Sequence, residues 1–377
     1  MNYLRAWAVA RKEFLHVLRD PRSLAMAIAM PMLLLLLFGY ALTLDVDNVP
    51  IVVWDQSQTP ASRELISRFR GSRYFSIKGY GWNYPGLERE IDSGNVLAAL
   101  VVPRDFTNQI RSGRQASLQM IVDGSNSNTA TLAVGYADSV TRAYSQELSL
   151  KEIRRAGGAV QDTPVDFRPR VWFNPELESR NYIIPGLIAV IMMVIAALLT
   201  SLTVAREWER GTMEQLISTP VTGRELIMGK LLPYFSIGLL DVLLAVLLGD
   251  LLFHVPLRGS VLLLFVSAAV FLAGSMALGV LISVIAKNQL MANQLAMVVT
   301  FLPSFLLSGF VYPISNMPTV IQWITNLVPA RYFITLLKAI YLKGVGVPTL
   351  AGEGLLLVVY AGSTILLAVG IFKKKLV

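Results

Sequence analysis

The chain contains no cysteine and only two histidines among its 377 residues. Without cysteine, disulfides, thiolate metal sites and a cysteine nucleophile are all unavailable. His16 and His254 lie far apart in the sequence, which argues against a histidine metal cluster. The sequence also lacks the G-x-S-x-G, H-E-x-x-H and glycine-rich phosphate-loop motifs. These absences argue against an enzyme.

Charge is also scarce: 15% of the residues are charged and 54% are hydrophobic, and mean hydropathy is positive. This composition is typical of a membrane protein. The formal charge of +8 does not indicate nucleic-acid binding, because its excess lies beside apolar runs, with five Lys/Arg in residues 1–22 and three lysines at 373–375. The lipid bilayer is therefore the expected partner, and nucleic acid is not.

Long uncharged or nearly uncharged runs predict an α-helical polytopic membrane protein with six transmembrane helices. Residues 1–22 are predicted to form a cytoplasmic interfacial helix, and residues 23–44 the first transmembrane helix. Gly274 and Gly279 are predicted close-packing positions in the fourth span. The other spans belong to a transmembrane domain of residues 181–377, at 182–205, 231–253, 260–286, 288–312 and 354–372.

Residues 45–180, between spans 1 and 2, have the composition of a soluble domain. Short apolar segments such as 51–54 and 96–102 predict strands, and they alternate with helices such as 127–155. This alternation predicts an inserted α/β domain. Six spans place both termini on the same side of the membrane. The segments on that side contain thirteen Lys/Arg, whereas the short loops on the other side contain four. Both termini are therefore predicted to be cytoplasmic and the α/β domain extracytoplasmic.

A charged segment joins spans 2 and 3, and it predicts a cytoplasmic helix over 206–219. Trp208 and Leu216 lie along one flank of that helix, and charged residues cover the rest. Pro220 ends the helix, and Thr222 with Glu225 predicts a capping box that starts the next one.

The pattern R-E-x-E-R-G-T-x-E-x-L-x-x-T-P, followed by G-K-x-x-P, resembles the coupling region of ABC-2-type permeases, the membrane subunits of bacterial ATP-driven exporters with the type V ABC exporter fold. Further similar motifs run along the chain, including Lys12-Glu13 and Asn316-Met-Pro318. The resemblance implies ATPase-coupling roles for Arg206, Glu207, Trp208, Glu209, Arg210, Gly211, Thr212, Glu214, Leu216, Thr219 and Pro220.

The resemblance also implies partners and a location. A cytoplasmic ABC ATPase would grip the coupling helix and would bind the ATP and magnesium. This chain is expected to bind no cofactor, because Gly223 to Leu231 departs from a phosphate loop in its spacing and ends in leucine instead of Ser or Thr. A homodimer, or a heterodimer with a paralogous permease, is expected in the bacterial inner membrane. Residues 45–180 would be periplasmic and would face a periplasmic adaptor.

In this reading the charged residues of the coupling segment, residues 206–220, are exposed and contact the ATPase, Glu207 among them. Trp208 and Leu216 are predicted to hold the helix against the chain's own membrane spans. Met297, Phe301 and Phe305 are predicted to line the pathway of a lipophilic or amphipathic substrate, although core packing explains them equally well.

Two intramembrane acids, Asp241 and Asp250, leave other functions open. An ion-coupled secondary transporter would use Asp241. We favour a structural Asp241 that is protonated or hydrogen-bonded to a neighbouring span. A membrane-anchored sensor is the other alternative.

Overall fold

The computed structural model describes residues 2–42, 48–155, 172–174 and 178–372. The chain divides into two compact units, one from residues 1–43 and 170–377 and the other from residues 44–169. The described parts of the first unit are helical, and the second contains a β-sheet.

The first unit begins with an amphipathic helix, α1 (Tyr3–Arg19), as predicted. A helical run follows from Pro21 to Ala41, made of α2 (Pro21–Leu24), a π-helical turn (Ala25–Ala29) and α3 (Met30–Ala41). Its apolar part, Ala27–Ala41, is shorter than the other apolar helices of the unit. The π turn is an irregularity that hydropathy does not reveal.

The second unit alternates strands and helices. In chain order these are β1 (Val49–Asp55), α4 (Pro60–Gly71), β2 (Phe75–Tyr80), α5 (Tyr84–Asp92), β3 (Ala98–Val102), α6 (Phe106–Arg111), β4 (Gln119–Val122) and α7 (Ser127–Arg155). The sheet order is β2-β1-β3-β4, in which β1 pairs in parallel with β2 and β3, and β4 is antiparallel to β3.

Both faces of this sheet are covered. Ile51 and Val53 point to a core that contains Leu65 and Phe69 of α4, whereas Val52 packs with Leu87 of α5. Helices α4 and α5 therefore cover opposite faces, as in α/β folds whose strands are buried on both sides.

The rest of the first unit contains five described helices that are long and apolar enough to cross a membrane. These five are α8, α10, α11, α12 and α15. In chain order the elements are α8 (Ser179–Glu209), α9 (Thr212–Ser218), α10 (Gly223–Leu251), α11 (Val261–Ala286), α12 (Gln289–Leu306), α13 (Thr319–Thr325), α14 (Pro329–Lys338) and α15 (Val347–Ile371).

Helix α8 is the centre of this unit. It is buried over most of its length and contacts α3, α10, α11, α12 and α14. Its closest approach is to α11, where a Cβ on Gly279 would lie 2.1 Å from Thr200 Oγ1 and 2.5 Å from the Ala197 carbonyl oxygen. The Thr200 hydroxyl donates to the Met276 carbonyl across this contact (3.0 Å). Small residues and hydroxyls thus hold α8 and α11 together, as expected where helices pack in lipid.

Candidate functional site

The charged segment between α8 and α10 is not one helix. Residues 206–209 are the last turn of α8, and a separate helix, α9, covers residues 212–218. Between them Gly211 adopts a left-handed backbone conformation with φ of 71°, which glycine accepts without steric cost. The predicted continuous helix over 206–219 is therefore wrong, because the chain turns at Gly211.

The start of α10 is capped as predicted. The Glu225 amide donates to the Thr222 hydroxyl (3.4 Å), and the Thr222 amide donates to the Glu225 carboxylate (2.9 Å). The other Glu225 oxygen accepts from the Asn2 amide (2.6 Å). This buried carboxylate therefore ties the start of α1 to the start of α10.

Helix α1 lies directly on α10. A Cβ on Gly229 would lie 2.7 Å from both the Ala6 carbonyl oxygen and Val9 Cβ, so the glycine allows the two backbones to approach. Arg5 also donates to the Pro220 carbonyl (2.7 Å). Helix α1 is thus packed against the segment that follows α9.

A group of buried charges, the Lys230 cluster, joins three helices: Glu13 of α1, Glu207 of α8 and Lys230 of α10. Lys230 is 3% exposed, and its ammonium lies 3.1 Å from Glu207 Oε1 and 3.6 Å from Glu13 Oε2. It also donates to the Thr203 carbonyl (3.0 Å). The ammonium therefore donates two hydrogen bonds, to Glu207 and to the Thr203 carbonyl, and forms a longer ion pair with Glu13.

Further polar groups complete the Lys230 cluster. Tyr234 donates to Glu13 Oε1 (3.3 Å), and Thr212 at the start of α9 donates to Glu207 Oε2. Lys12, which is largely exposed, lies 3.5 Å from Glu207 Oε1. Glu207 therefore connects α9 to both α1 and α10.

The expectation that Glu207 is an exposed contact group is wrong, because its side chain is only 12% exposed. Sequence reasoning also missed the pairing of Glu13 with Lys230, although both residues stand in motifs that resemble the family. The sequence signal for this pairing was the position of Lys230 at the edge of an apolar run, because burying a charge without a partner there would be costly.

The rest of the segment has an inner and an outer side. Trp208 and Leu216 pack with the buried Met213 against residues of α8, α10 and α11, as predicted, and the Lys287 ammonium lies 5.1 Å from the Trp208 ring centroid. Glu209 accepts from the Gln289 amide at the start of α12 (3.0 Å). The exposed residues of this outer side are Glu209, Arg210, Gly211, Glu214, Gln215, Ser218 and Pro220.

The two acids of α10, Asp241 and Asp250, differ in environment. Asp241 is 1% exposed within α10, and its Oδ1 has no hydrogen-bond partner among the described residues. We favoured an Asp241 that is protonated or hydrogen-bonded to a neighbouring span, and at that oxygen the hydrogen bond is not seen. Asp250 is exposed near the end of α10. Within the described ranges, no group of three or more His, Asp or Glu side chains could hold a metal ion.

The predicted pathway residues lie on α12. The rings of Phe301 and Phe305 are stacked with centroids 5.6 Å apart, and Met297 is 52% exposed. A neighbouring side of α12 is buried at Ala292, Ala296, Thr300 and Ser304. The three residues thus share a helix.

Comparison with known proteins gives matches over nearly the whole chain. The family model described as ABC-2 family transporter protein matches residues 21–372. The probable multidrug ABC transporter permease YbhS of Escherichia coli K12 is 37% identical over 347 residues, covering 91% of this chain and 90% of the relative. The probable multidrug ABC transporter permease YbhR of the same organism is 30% identical over 371 residues, covering 98% of this chain and 99% of the relative. The inner membrane transport permease YhhJ of Escherichia coli K12 is 25% identical over 384 residues, covering 99% of this chain and 98% of the relative.

Proposed function

The chain belongs to the ABC-2 family of transporter proteins, and from this premise we propose that it is the permease subunit of an ABC exporter powered by a separate ATPase. YbhS and YbhR are named as probable multidrug permeases. For this chain we propose a lipophilic or amphipathic substrate, drug-like or lipid-like, which leaves the cytoplasm or the inner leaflet.

The observation that carries this proposal is the architecture of the coupling segment. Helix α9 presents Glu214 and Gln215 outward, while Met213 and Leu216 fix it to the membrane helices. Glu207, one turn before Gly211, is held by Lys230. A force applied to α9 would thus reach α8 and α10 through packed side chains and buried charges, as rigid-body coupling requires.

The remaining features of the proposal follow from the same premise. The helical run from Pro21 to Ala41 would be the first of six spans, with α8, α10, α11, α12 and α15 as the others. Both termini would be cytoplasmic and the α/β unit periplasmic, where an adaptor protein could meet it. Two permease chains, identical or paralogous, would pair with two ATPase subunits, which bind the ATP and magnesium.

Crosslinking tests the ATPase contact, and the absence of native cysteine makes each site unique. We expect Gln215→Cys, labelled with benzophenone maleimide, to crosslink to the co-expressed ATPase on illumination, because Gln215 lies on the outer side of α9. Arg111→Cys, in the α/β unit, is the matched control and should give no such product. Capture of the ATPase by the Arg111 site instead of the Gln215 site would invert the topology and overturn the proposal.

Ion-coupled transport by the same chain remains a second candidate, favoured by the buried, unpartnered oxygen of Asp241. Under the exporter proposal, Asp241→Asn keeps the shape of the side chain without a proton to transfer, and ATP-dependent export should stay within about twofold of native. Asp241→Lys should fail, since it buries a fixed positive charge. The measurement is ATP-dependent substrate transport by the native chain and by each variant in vesicles, with the proton gradient intact and collapsed. Loss of native transport when the gradient is collapsed, together with loss in a normally folded Asn variant when it is intact, would support ion coupling.

A further inference from the structure

The α/β unit contains an open cleft of about 570 Å³ at the carboxyl ends of β1 and β2. It lies between α4 and the loop that leads from β2 to α5. Helices α4 and α5 cover opposite faces of the sheet. In open α/β sheets, ligands bind outside the carboxyl ends of the strands. The volume also falls in the range of about 300–1,000 Å³ of small-molecule sites.

One wall of the cleft carries positive charge. Arg63 and Arg70 stand two turns apart on the same side of α4. Arg70 donates to the Tyr80 hydroxyl (2.8 Å), and Arg63 donates to the Thr59 carbonyl (3.4 Å). Each of these contacts uses only part of a guanidinium, which has five N–H donors. Both arginines are thus positioned while they keep donors for a ligand.

The acid in the cleft, Asp55, already accepts hydrogen bonds from the loop that follows it and from α4. Its Oδ1 accepts from the Gln58 amide (2.9 Å) and its Oδ2 from the Ser62 hydroxyl (2.7 Å). These bonds hold Gln58, which also lines the cleft, at a left-handed φ of 50°. The two arginines therefore outweigh the one carboxylate, and the cleft favours an anion.

Aromatic side chains also line the cleft. Trp82 is 75% exposed and Tyr80 is 48% exposed, and both line the cleft, with Ile66 as an apolar part of the α4 wall. A large exposed indole offers a flat apolar face for a ring to stack on. Because the Trp82 indole and two guanidinium groups line the same cleft, it favours a ligand that has both an aromatic ring and a negative charge.

We propose that this cleft binds a small aromatic anion, whose carboxylate or sulfonate lies between Arg63 and Arg70 and whose ring lies on Trp82. The guanidinium groups would make charge-assisted, bidentate hydrogen bonds to the anion. This site is independent of the exporter proposal, since it involves neither the coupling segment nor ATP.

Isothermal titration of the full chain in lipid nanodiscs tests the site, with 2-naphthoate as the probe and empty nanodiscs as the reference for partitioning. We expect saturable binding of 2-naphthoate, and binding about tenfold weaker for the neutral isostere 2-naphthamide. Cyclohexanecarboxylate, which keeps the charge but lacks the aromatic ring, should bind about fivefold more weakly. These three ligands test the native chain and need no variant.

Substitutions of the lining residues test whether 2-naphthoate binds in this cleft. Arg63→Gln with Arg70→Gln should weaken 2-naphthoate binding about tenfold, and Trp82→Ala about fivefold. Arg111→Gln with Arg114→Gln removes the same charge from the same unit outside the cleft and should leave binding unchanged. Absence of saturable 2-naphthoate binding, equal binding of the amide, or equal losses in the two arginine pairs would each overturn the proposal.

Discussion

Replacing Lys230 with methionine is expected to destabilise the helical unit by about 3–5 kcal/mol, the cost of leaving a buried ion pair without one partner. The change removes the cation between Glu13 and Glu207, two side chains that are 7% and 12% exposed. Their carboxylates would then face each other with little water. Thermal unfolding in nanodiscs measures the effect, and ATPase stimulation by the assembled complex should fall with it.

Two controls separate the Lys230 cluster from a general effect of losing charge. Lys12→Met removes a lysine that also contacts Glu207 but is 64% exposed, so its effect should stay below about 1 kcal/mol. The triple variant Glu13→Gln, Glu207→Gln, Lys230→Met removes all three charges and should recover most of the stability lost by Lys230→Met alone. A triple variant less stable than Lys230→Met would show that the charges are not coupled.

Gly279→Ala is the second change with a large expected effect. Its Cβ would lie 2.1 Å from Thr200 Oγ1 and 2.5 Å from the Ala197 carbonyl oxygen. The carbonyl belongs to the backbone of α8 and cannot rotate away, so α8 and α11 must separate. We expect a loss of about 3 kcal/mol, at the upper end for overpacking, seen as a lower melting temperature and a lower yield of folded protein.

Gly362→Ala provides the matched control for this prediction. Gly362 is also a glycine within a long apolar helix, α15, but its Cβ would meet no atom within 4 Å. Alanine is the better helix former, so this variant should melt at or slightly above the native temperature. Equal melting temperatures for Gly279→Ala and Gly362→Ala would contradict the close contact at Gly279.

Several features of the fold could be predicted because their causes are local. Hydropathy alone predicted a span over 260–286, and α11 covers Val261–Ala286. The Thr222 and Glu225 capping box depends on residues three apart, and the inward side of Trp208 and Leu216 follows from helical periodicity. The close-packing position at Gly279 is confirmed because a residue without a side chain indicates a near neighbour.

Other features depend on contacts between distant parts of the chain and could not be predicted in this way. Periodicity placed Glu207 on a polar flank, but it carries no information on Lys230 and Glu13, which reach it from α10 and α1. The turn at Gly211 divided a segment that reads as one helix, because helical pattern alone does not mark a left-handed residue. The cleft beside Trp82 requires the order of the strands, which the sequence does not state.

Helix α8 also has a mechanical consequence, set by its length. At 31 residues it extends about 46 Å. Near one end, Glu207 is clamped by Lys230, and at the other Tyr182 donates to the carbonyls of Gly309 and Phe310 (3.0 and 3.2 Å). A rod of that length, tilted by about 5° around one end, moves the other by about 4 Å. This displacement exceeds a hydrogen-bond length, so such a tilt would carry Tyr182 out of reach of these two carbonyls unless the segment that holds Gly309 and Phe310 moved with it.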